Sequence, residues 1–385
     1  MRKKVLFIIG TLQSGGVSKS VVNLLNVFDK DRYDVHLFIM CKKGDVYSQF
    51  LPQNITIHTN DIVNALHQNL LGVKWLLSTK HLLLAIGSIV RMCLSKISKS
   101  KSGELMAFLM PQFTNEYFDL IVDYGGQQQL YYMINKLNGR CKITFFHNDY
   151  SKWPYYYRAD KRYYPKTDHI YTISETCCNV LKKYFPTCRQ KISIIENILS
   201  PTLIRQQARQ SVKIPDSNLL LATVGHFCYR KGSDLIIEAA KILRAQKIAF
   251  KWIYIGKIID KKLYELIEKE KLTDYFYFTG IINNPYPYVN AANIYVHPSR
   301  FEGKSIALDE AKILCKPIVV TNFSTVTDQF SDHINASICS MDAEDLATKI
   351  IELHLNRELQ NNYCQYLANN TKDNSKEVEK LYSFL

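Results

Sequence analysis

The sequence predicts an α/β protein made of two doubly wound domains, each a parallel sheet with helices on its faces. Three observations predict it. At 385 residues the chain is about two to four times a usual ~100–200-residue domain, so one core is disfavoured. Short apolar runs of strand length alternate with segments of helical periodicity. The alternation then pauses near residue 200 and begins again.

In the first half, Val5–Gly10 reads as a buried strand, Thr11–Gly16 as a small-residue turn, and Ser18–Phe28 as a helix with Val21, Leu24, Leu25 and Phe28 on one face. The apolar stretch after Met1 is too short for a signal peptide and runs straight into the glycine turn, which favours the strand. Val35–Met40 and Ile55–His58 are further strands, and residues 62–103 read as helical, apolar and basic. Leu120–Asp123, Ile143–His147, Ile170–Ile173 and Ile192–Ile195 complete this sheet, with a helix Ser174–Tyr184 opening at a serine cap.

The restart runs Leu219–Val224 (strand), Ser233–Gln246 (helix), Trp252–Ile255 (strand), Lys261–Lys271 (helix) and Tyr275–Thr279 (strand). Ile294–His297, the helix Ile306–Leu314 and the strand Pro317–Thr321 follow. The boundaries expected are 1–198 and 199–374, hinged near Asn197–Asp216, with a short helix at 375–385 packing back on the first domain. Ligands of such sheets bind at the carboxyl ends of the strands, which makes the cleft between domains the natural site.

Composition narrows the classes. Hydrophobic residues at 47% and charged residues at 22% exclude a disordered or fibrous chain. No apolar run reaches the ~18–20 residues of a membrane span; Leu82–Val90 has nine. The ten cysteines show no CxxC pair and no metal spacing, which favours reduced thiols in a cytosolic protein. The net charge of +14 is uneven: residues 1–200 carry 26 basic and 14 acidic groups, the rest 23 and 21.

The segment Pro298–Pro317, PSRFEGKSIALDEAKILCKP, is the sharpest. Glu302 in the loop before a helix and Glu310 one turn inside it could reach one ligand at that helix N-terminus. The backbone N–H groups of Gly303, Lys304, Ser305 and Ile306 would face a diphosphate there. On spacing alone an acidic pair is as commonly a solvated face, but the strands on either side favour the site. In Val224–Gly232 a strand ends in glycine and a loop bearing Arg230 and Lys231 opens a helix; fixed cations there would stabilise a departing diphosphate. Gly15 and Gly16 follow the first strand without a GxGxxG or P-loop pattern, so a plain strand-to-helix turn is an equal reading. His147, ending a strand before Asn148 and Asp149, is near the expected cleft, though a lone histidine there is more often structural.

In their order, these motifs resemble those of the retaining glycosyltransferases of the GT-B fold, family 4, of bacterial surface-polysaccharide type. A first-domain glycine loop stands as Gly15-Gly16, the central histidine as His147, the G-R-L-x-x-x-K-G segment as Gly225–Gly232, and the E-x7-E motif as Glu302 and Glu310. The resemblance covers nearly the whole chain and is strongest from Gly225 to Thr321. It implies two Rossmann-like domains facing across a cleft, an acceptor side in the first and a nucleotide-sugar donor site in the second. Lys231 and Arg230 would hold the diphosphate, Glu310 the ribose, Glu302 and the following amides the donor sugar, with His147 contacting that sugar. No metal or other cofactor is implied. Two positions depart from the family: His226 replaces the usual arginine, and Lys304 the usual phenylalanine.

Between residues 62 and 103 stand Lys74, Lys80, Arg91, Lys96, Lys99 and Lys101, with no acid, among Trp75, Leu76, Leu77, Leu82–Leu84 and Ile86. Such a segment suits an anionic membrane surface, placing the protein in the cytoplasm at the inner face of the cell membrane, opposite a polyprenyl-diphosphate-linked glycan acceptor. Core-facing helices with a solvated basic face are the alternative. Tyr155, Tyr156, Tyr157, Arg158 and Arg162 form a second aromatic-basic cluster, along an acceptor groove. Two other functions compete: a nucleotide-sugar epimerase of the same fold, and a basic nucleic-acid-binding protein. No nucleic-acid-binding motif supports the latter.

Overall fold

Strand order, read from backbone pairing, gives two separate parallel sheets. The computed structural model of the chain describes residues 2–371 and 373–385. It divides into one unit of Met1–Ile198 with Ser375–Leu385 and a second of Leu199–Asn374.

The first unit holds β1 (Lys3–Thr11), β2 (Tyr33–Cys41), β3 (Thr56–His58), β4 (Tyr117–Asp123), β5 (Asn138–Phe146), β6 (His169–Thr172) and β7 (Ile192–Ile194), in the order β3-β2-β1-β4-β5-β6-β7. All pair in parallel. The two-residue period of a strand sends alternate side chains to opposite faces. Leu6 and Ile8 of β1 enter one core, while Val5, Phe7 and Ile9 enter the other. The C-terminal residues join the second of these cores: Val378 and Leu381 are buried there, and the Tyr382 ring lies 5.1 Å from that of Phe28.

Residues 62–103 fold as parts of four helices, Asp61–Leu66, Asn69–Ser78, Leu82–Ile97 and Lys99–Leu109. Two further helices of this unit are Gln128–Lys136 and Tyr157–Tyr163. Ser174 caps the Glu175–Tyr184 helix by accepting the Cys177 N–H. The aromatic-basic cluster divides rather than forming one surface. Tyr156 and Tyr157 pack against the core, Arg162 pairs with Glu104 at 2.5 Å, and buried Asp160 accepts the Tyr131 and Tyr150 hydroxyls at 2.6 Å each.

The second unit holds β8 (Leu219–Val224), β9 (Phe250–Ile255), β10 (Phe276–Gly280), β11 (Ile294–His297), β12 (Ile318–Thr321) and β13 (Ser337–Cys339), in the order β10-β9-β8-β11-β12-β13. Trp252 and Tyr254 of β9 fill one face, Ile253 and Ile255 the other. The span Asn197–Asp216, expected as a hinge, contains a helix, Pro201–Gln207. Its Ile204 packs with Tyr286, Ile306 and Ile313, so the helix belongs to the second unit, and the division between the units, at Ile198 and Leu199, falls within the expected span.

In each sheet the strand order reverses once, at β1/β4 and at β8/β11. Loops leaving adjacent strands at such a switch point diverge and leave room for a ligand.

Candidate functional site

The second unit's switch point brings together the two segments singled out by sequence. β8 and β11 pair directly, Ile294 against Leu221, so the loops that follow them start side by side. Three contacts clamp these loops. Gly232 adopts φ 70°, and a Cβ there would stand 1.9 Å from the Pro298 carbonyl oxygen, so only glycine permits this approach. Arg300 forms a bidentate pair with Asp234 at 2.7 and 2.6 Å and donates to the Tyr229 carbonyl at 2.6 Å. Its guanidinium also lies 3.7 Å from the Tyr229 ring centroid.

The clamp sets Lys231 Nζ 2.5 Å from Glu302 Oε1, with both side chains largely buried at 16% and 11% exposure. His297, at the end of β11 and 2% exposed, places Nε2 3.3 Å from the same oxygen. Thr325 Oγ1 donates to the Glu302 carbonyl at 3.1 Å, which fixes the backbone of the loop. Burial alone would raise the Glu302 carboxyl, but the Lys231 ammonium and the His297 hydrogen bond hold it well below the usual carboxylate range. Burial lowers the His297 imidazole, so its neutral form, donating from Nε2, orients Glu302. Glu302 is thus a carboxylate at neutral pH, and its charge is already matched.

Glu310 is the fifth residue of the helix Ile306–Ile313, is 4% exposed, and accepts the Tyr286 hydroxyl at 2.8 Å. Tyr286 opens the short helix Tyr286–Ala291, where Asn284 Oδ1 accepts its N–H. Arg230 turns its guanidinium toward the Phe301 ring, 5.5 Å from the centroid. Gly303 is buried, and Lys304 is half-buried. One expected amide donor is withdrawn: the Ser305 N–H donates to Gln329 Oε1 at 3.1 Å, and Gln329 Nε2 returns a bond to the Ser305 carbonyl. That side chain comes from 24 residues downstream and satisfies a buried amide that local sequence leaves open.

Gly15, Gly16 and His147 lie in the first unit, around its own switch point. Gly15 caps the helix Gly16–Val27 with open space where a Cβ would stand. His147 follows β5 and is 8% exposed; its Nε2–H donates to the Tyr124 carbonyl at 3.0 Å. Burial brings its imidazole down to about 4, against the pull of that hydrogen bond, so the ring is neutral. Tyr124 OH is bonded to Ser20 Oγ at 2.7 Å, and Ser20 donates to Asn197 Oδ1 at 2.8 Å, tying the helix to the histidine loop. Asp123, ending β4, accepts the Gly125 and Gly126 N–H groups and the Thr144 hydroxyl; burial raises it to about 6.

Sequence reading missed Arg300, Asp234, His297, Tyr286 and Gln329. Arg300 and His297 sit inside the singled-out segment and its preceding strand, so proximity alone could have nominated them. Among the described residues no group of three His, Cys, Asp or Glu side chains is arranged to hold a metal ion.

Solved structures with the same fold include that of Anabaena Alr3699/HepE in complex with UDP and glucose, with a TM-score of 0.71 and 14% identity. That match covers 99% of each chain. The chain is 28% identical over 123 residues to the O-antigen biosynthesis glycosyltransferase WclY of Escherichia coli, covering 32% of this chain and 34% of that protein. It is 30% identical over 159 residues to the putative colanic acid biosynthesis glycosyltransferase WcaL of Salmonella typhimurium, covering 37% and 38%. The chain therefore spans about a third of the length of these curated relatives. Neither an epimerase nor a nucleic-acid-binding protein is favoured by these likenesses. Residues 204–372, which carry Lys231, Glu302 and Glu310, match the model of glycosyl transferases group 1.

Proposed function

We propose that the protein transfers a sugar from a nucleoside-diphosphate sugar to a lipid-linked glycan in cell-surface polysaccharide biosynthesis, with retention of anomeric configuration and without a metal. The observation that carries this reading is the Lys231–Glu302 pair beside buried Glu310, within the segment that matches the glycosyltransferase family. UDP-sugars head the candidate donors, since a protein of the same fold is seen with UDP and glucose.

In this reading Glu310 accepts the ribose hydroxyls, and Lys231, with Arg230 beside it, meets the diphosphate. Donor arrival then exchanges partners. Lys231 turns from Glu302 to phosphate oxygens, and Glu302, still held by His297, accepts sugar hydroxyls. The sugar C1–oxygen bond breaks with its electron pair going to the diphosphate. The acceptor hydroxyl attacks C1 from the same face, and its proton passes to a departing phosphate oxygen. The cations act where negative charge grows, which is the largest electrostatic lever available. A lipid-linked acceptor would hold the protein at the inner face of the cell membrane.

A thermal-shift panel of UDP-, GDP-, ADP- and CMP-sugars tests this, because a ligand of the native state raises its stability by mass action. At least one donor should raise the melting temperature, and Glu310→Ala should abolish that response. A response unchanged in Glu310→Ala would remove the pocket assignment.

A further inference from the structure

The Leu82–Ile97 helix is turned the opposite way from an ordinary surface helix. Leu82, Leu83, Ile86, Ile89, Val90 and Ile97 recur at three- and four-residue spacing, one face of a helix, and every one is exposed. Leu83 is 82% exposed and Ile97 84%. The residues it buries are Ala85 and Ser88. The inversion is locked by close packing. A Cβ on Gly87 would stand 2.6 Å from Leu109 Cδ2, and Ser102 Oγ donates to the Arg91 carbonyl at 3.1 Å. Both contacts come from the Lys99–Leu109 helix, so the Leu82–Ile97 helix cannot roll its apolar stripe inward.

The neighbouring Asn69–Ser78 helix extends the surface. It exposes Leu70, Leu71 and Leu77, and Asn69 Oδ1 accepts Arg91 Nη2 at 2.8 Å, joining the two helices. Gly72 fixes its seating too, since a Cβ there would meet the Ala65 carbonyl oxygen at 1.7 Å. The same stretch of chain exposes Lys74, on the face with Leu70, Leu71 and Leu77, together with Lys80, Lys96, Lys99 and Lys101, and residues 62–103 contain no carboxylate. A continuous exposed apolar face of this kind marks an interaction site.

We propose that this face docks on an anionic lipid bilayer. The two helices lie in the headgroup plane, their leucines and isoleucines in the acyl boundary and their lysines among lipid phosphates. Sixteen residues make a helix of about 24 Å, and no helix among the described residues is long and apolar enough to cross a membrane. The face therefore lies on a bilayer rather than spanning it. A second copy of the chain is a poorer occupant, because a two-fold contact would set the five lysines against themselves. The surface would bring the enzyme to the lipid-linked acceptor proposed above, but the argument for it rests on the helices alone.

Co-sedimentation of the full chain with vesicles at about 0.15 M salt tests the proposal. Vesicles of phosphatidylethanolamine and phosphatidylglycerol should capture the parent, and phosphatidylcholine vesicles should capture far less. Leu83→Asn/Ile97→Asn and, separately, Lys96→Ala/Lys99→Ala/Lys101→Ala should each weaken capture by about tenfold or more. Should the first variant not fold, the lysine variant decides alone. Absence of parent binding to anionic vesicles, or undiminished binding of the folded variants, would overturn the proposal. So would lipid-free self-association that Leu83→Asn/Ile97→Asn abolishes in a protein that ignores vesicles. The thermal response to nucleotide sugars reads the donor site separately, so failure of the surface and failure of the glycosyltransferase reading are told apart.

Discussion

Lys231 Nζ lies 2.5 Å from Glu302 Oε1, so the two charged groups that sequence assigned to different parts of a donor neutralise one another. Their meeting depends on two loops that leave adjacent strands at the point where the sheet order reverses. Removing one partner of such a largely buried pair strands the other charge. Lys231→Met should cost about 3–5 kcal/mol of stability, and Lys231→Met/Glu302→Gln should recover part of that loss. Urea unfolding of the parent, both single variants and the double variant measures the coupling. A double variant that simply sums the single losses would show that the pair is not an energetic unit.

Acid should weaken the fold through both candidate sites. His147 has a folded value of about 4 against an ordinary 6.5, so the unfolded chain takes up its proton first. The contribution of the neutral ring is complete above about pH 6.5 and is lost as pH falls toward 4, by roughly 3 kcal/mol at most. Glu302, also depressed, contributes fully above the usual carboxylate range and loses that contribution as pH drops below it. An NMR titration of the His147 ring should show a midpoint near 4; a midpoint near 6.5 would mean the ring is not held neutral.

Gly232→Ala should separate the two loops. The added Cβ would stand 1.9 Å from the Pro298 carbonyl oxygen in a left-handed backbone conformation, and neither the strand-bound loop nor the helix behind it can yield cheaply. A loss of about 2 kcal/mol or more is expected, together with loss of the donor-induced thermal shift. A variant that melts and responds like the parent would show that the close approach is not required.

Tyr286→Phe tests how Glu310 is held. Its hydroxyl is 2.8 Å from Glu310 Oε1, and removing it takes away one contact that orients a buried carboxylate. Donor affinity should fall about five- to tenfold, equivalent to about 1 kcal/mol, as measured by calorimetry against the parent. Unchanged affinity would mean that Glu310 is positioned by other contacts.

The strands were the most legible part of the sequence, because parallel strands buried on both faces read as short apolar runs such as Val5–Gly10 and Leu219–Val224. The E-x7-E spacing likewise placed Glu302 before a helix and Glu310 within it. What stayed hidden depends on distant partners. Gln329 occupies the Ser305 amide from 24 residues away, and Arg300 grips Asp234 across 66. Such pairings follow from which strands are neighbours, and local periodicity carries no record of that. For the Leu82–Ile97 helix the sequence left two readings open, an apolar face turned outward or one turned to the core. An apolar period shows that a face exists, and only the packing at Gly87 shows which way it points.

In the proposed donor complex Lys231 meets the diphosphate and Glu302 the sugar. Calorimetric titration with UDP and with UDP-glucose, or with the base and sugar that the thermal panel selects, separates the two roles. Lys231→Met should weaken both ligands alike, while Glu302→Gln should keep the affinity for the nucleoside diphosphate and lose the extra affinity supplied by the sugar. Equal affinities of the parent and both variants for the nucleotide sugar would contradict it.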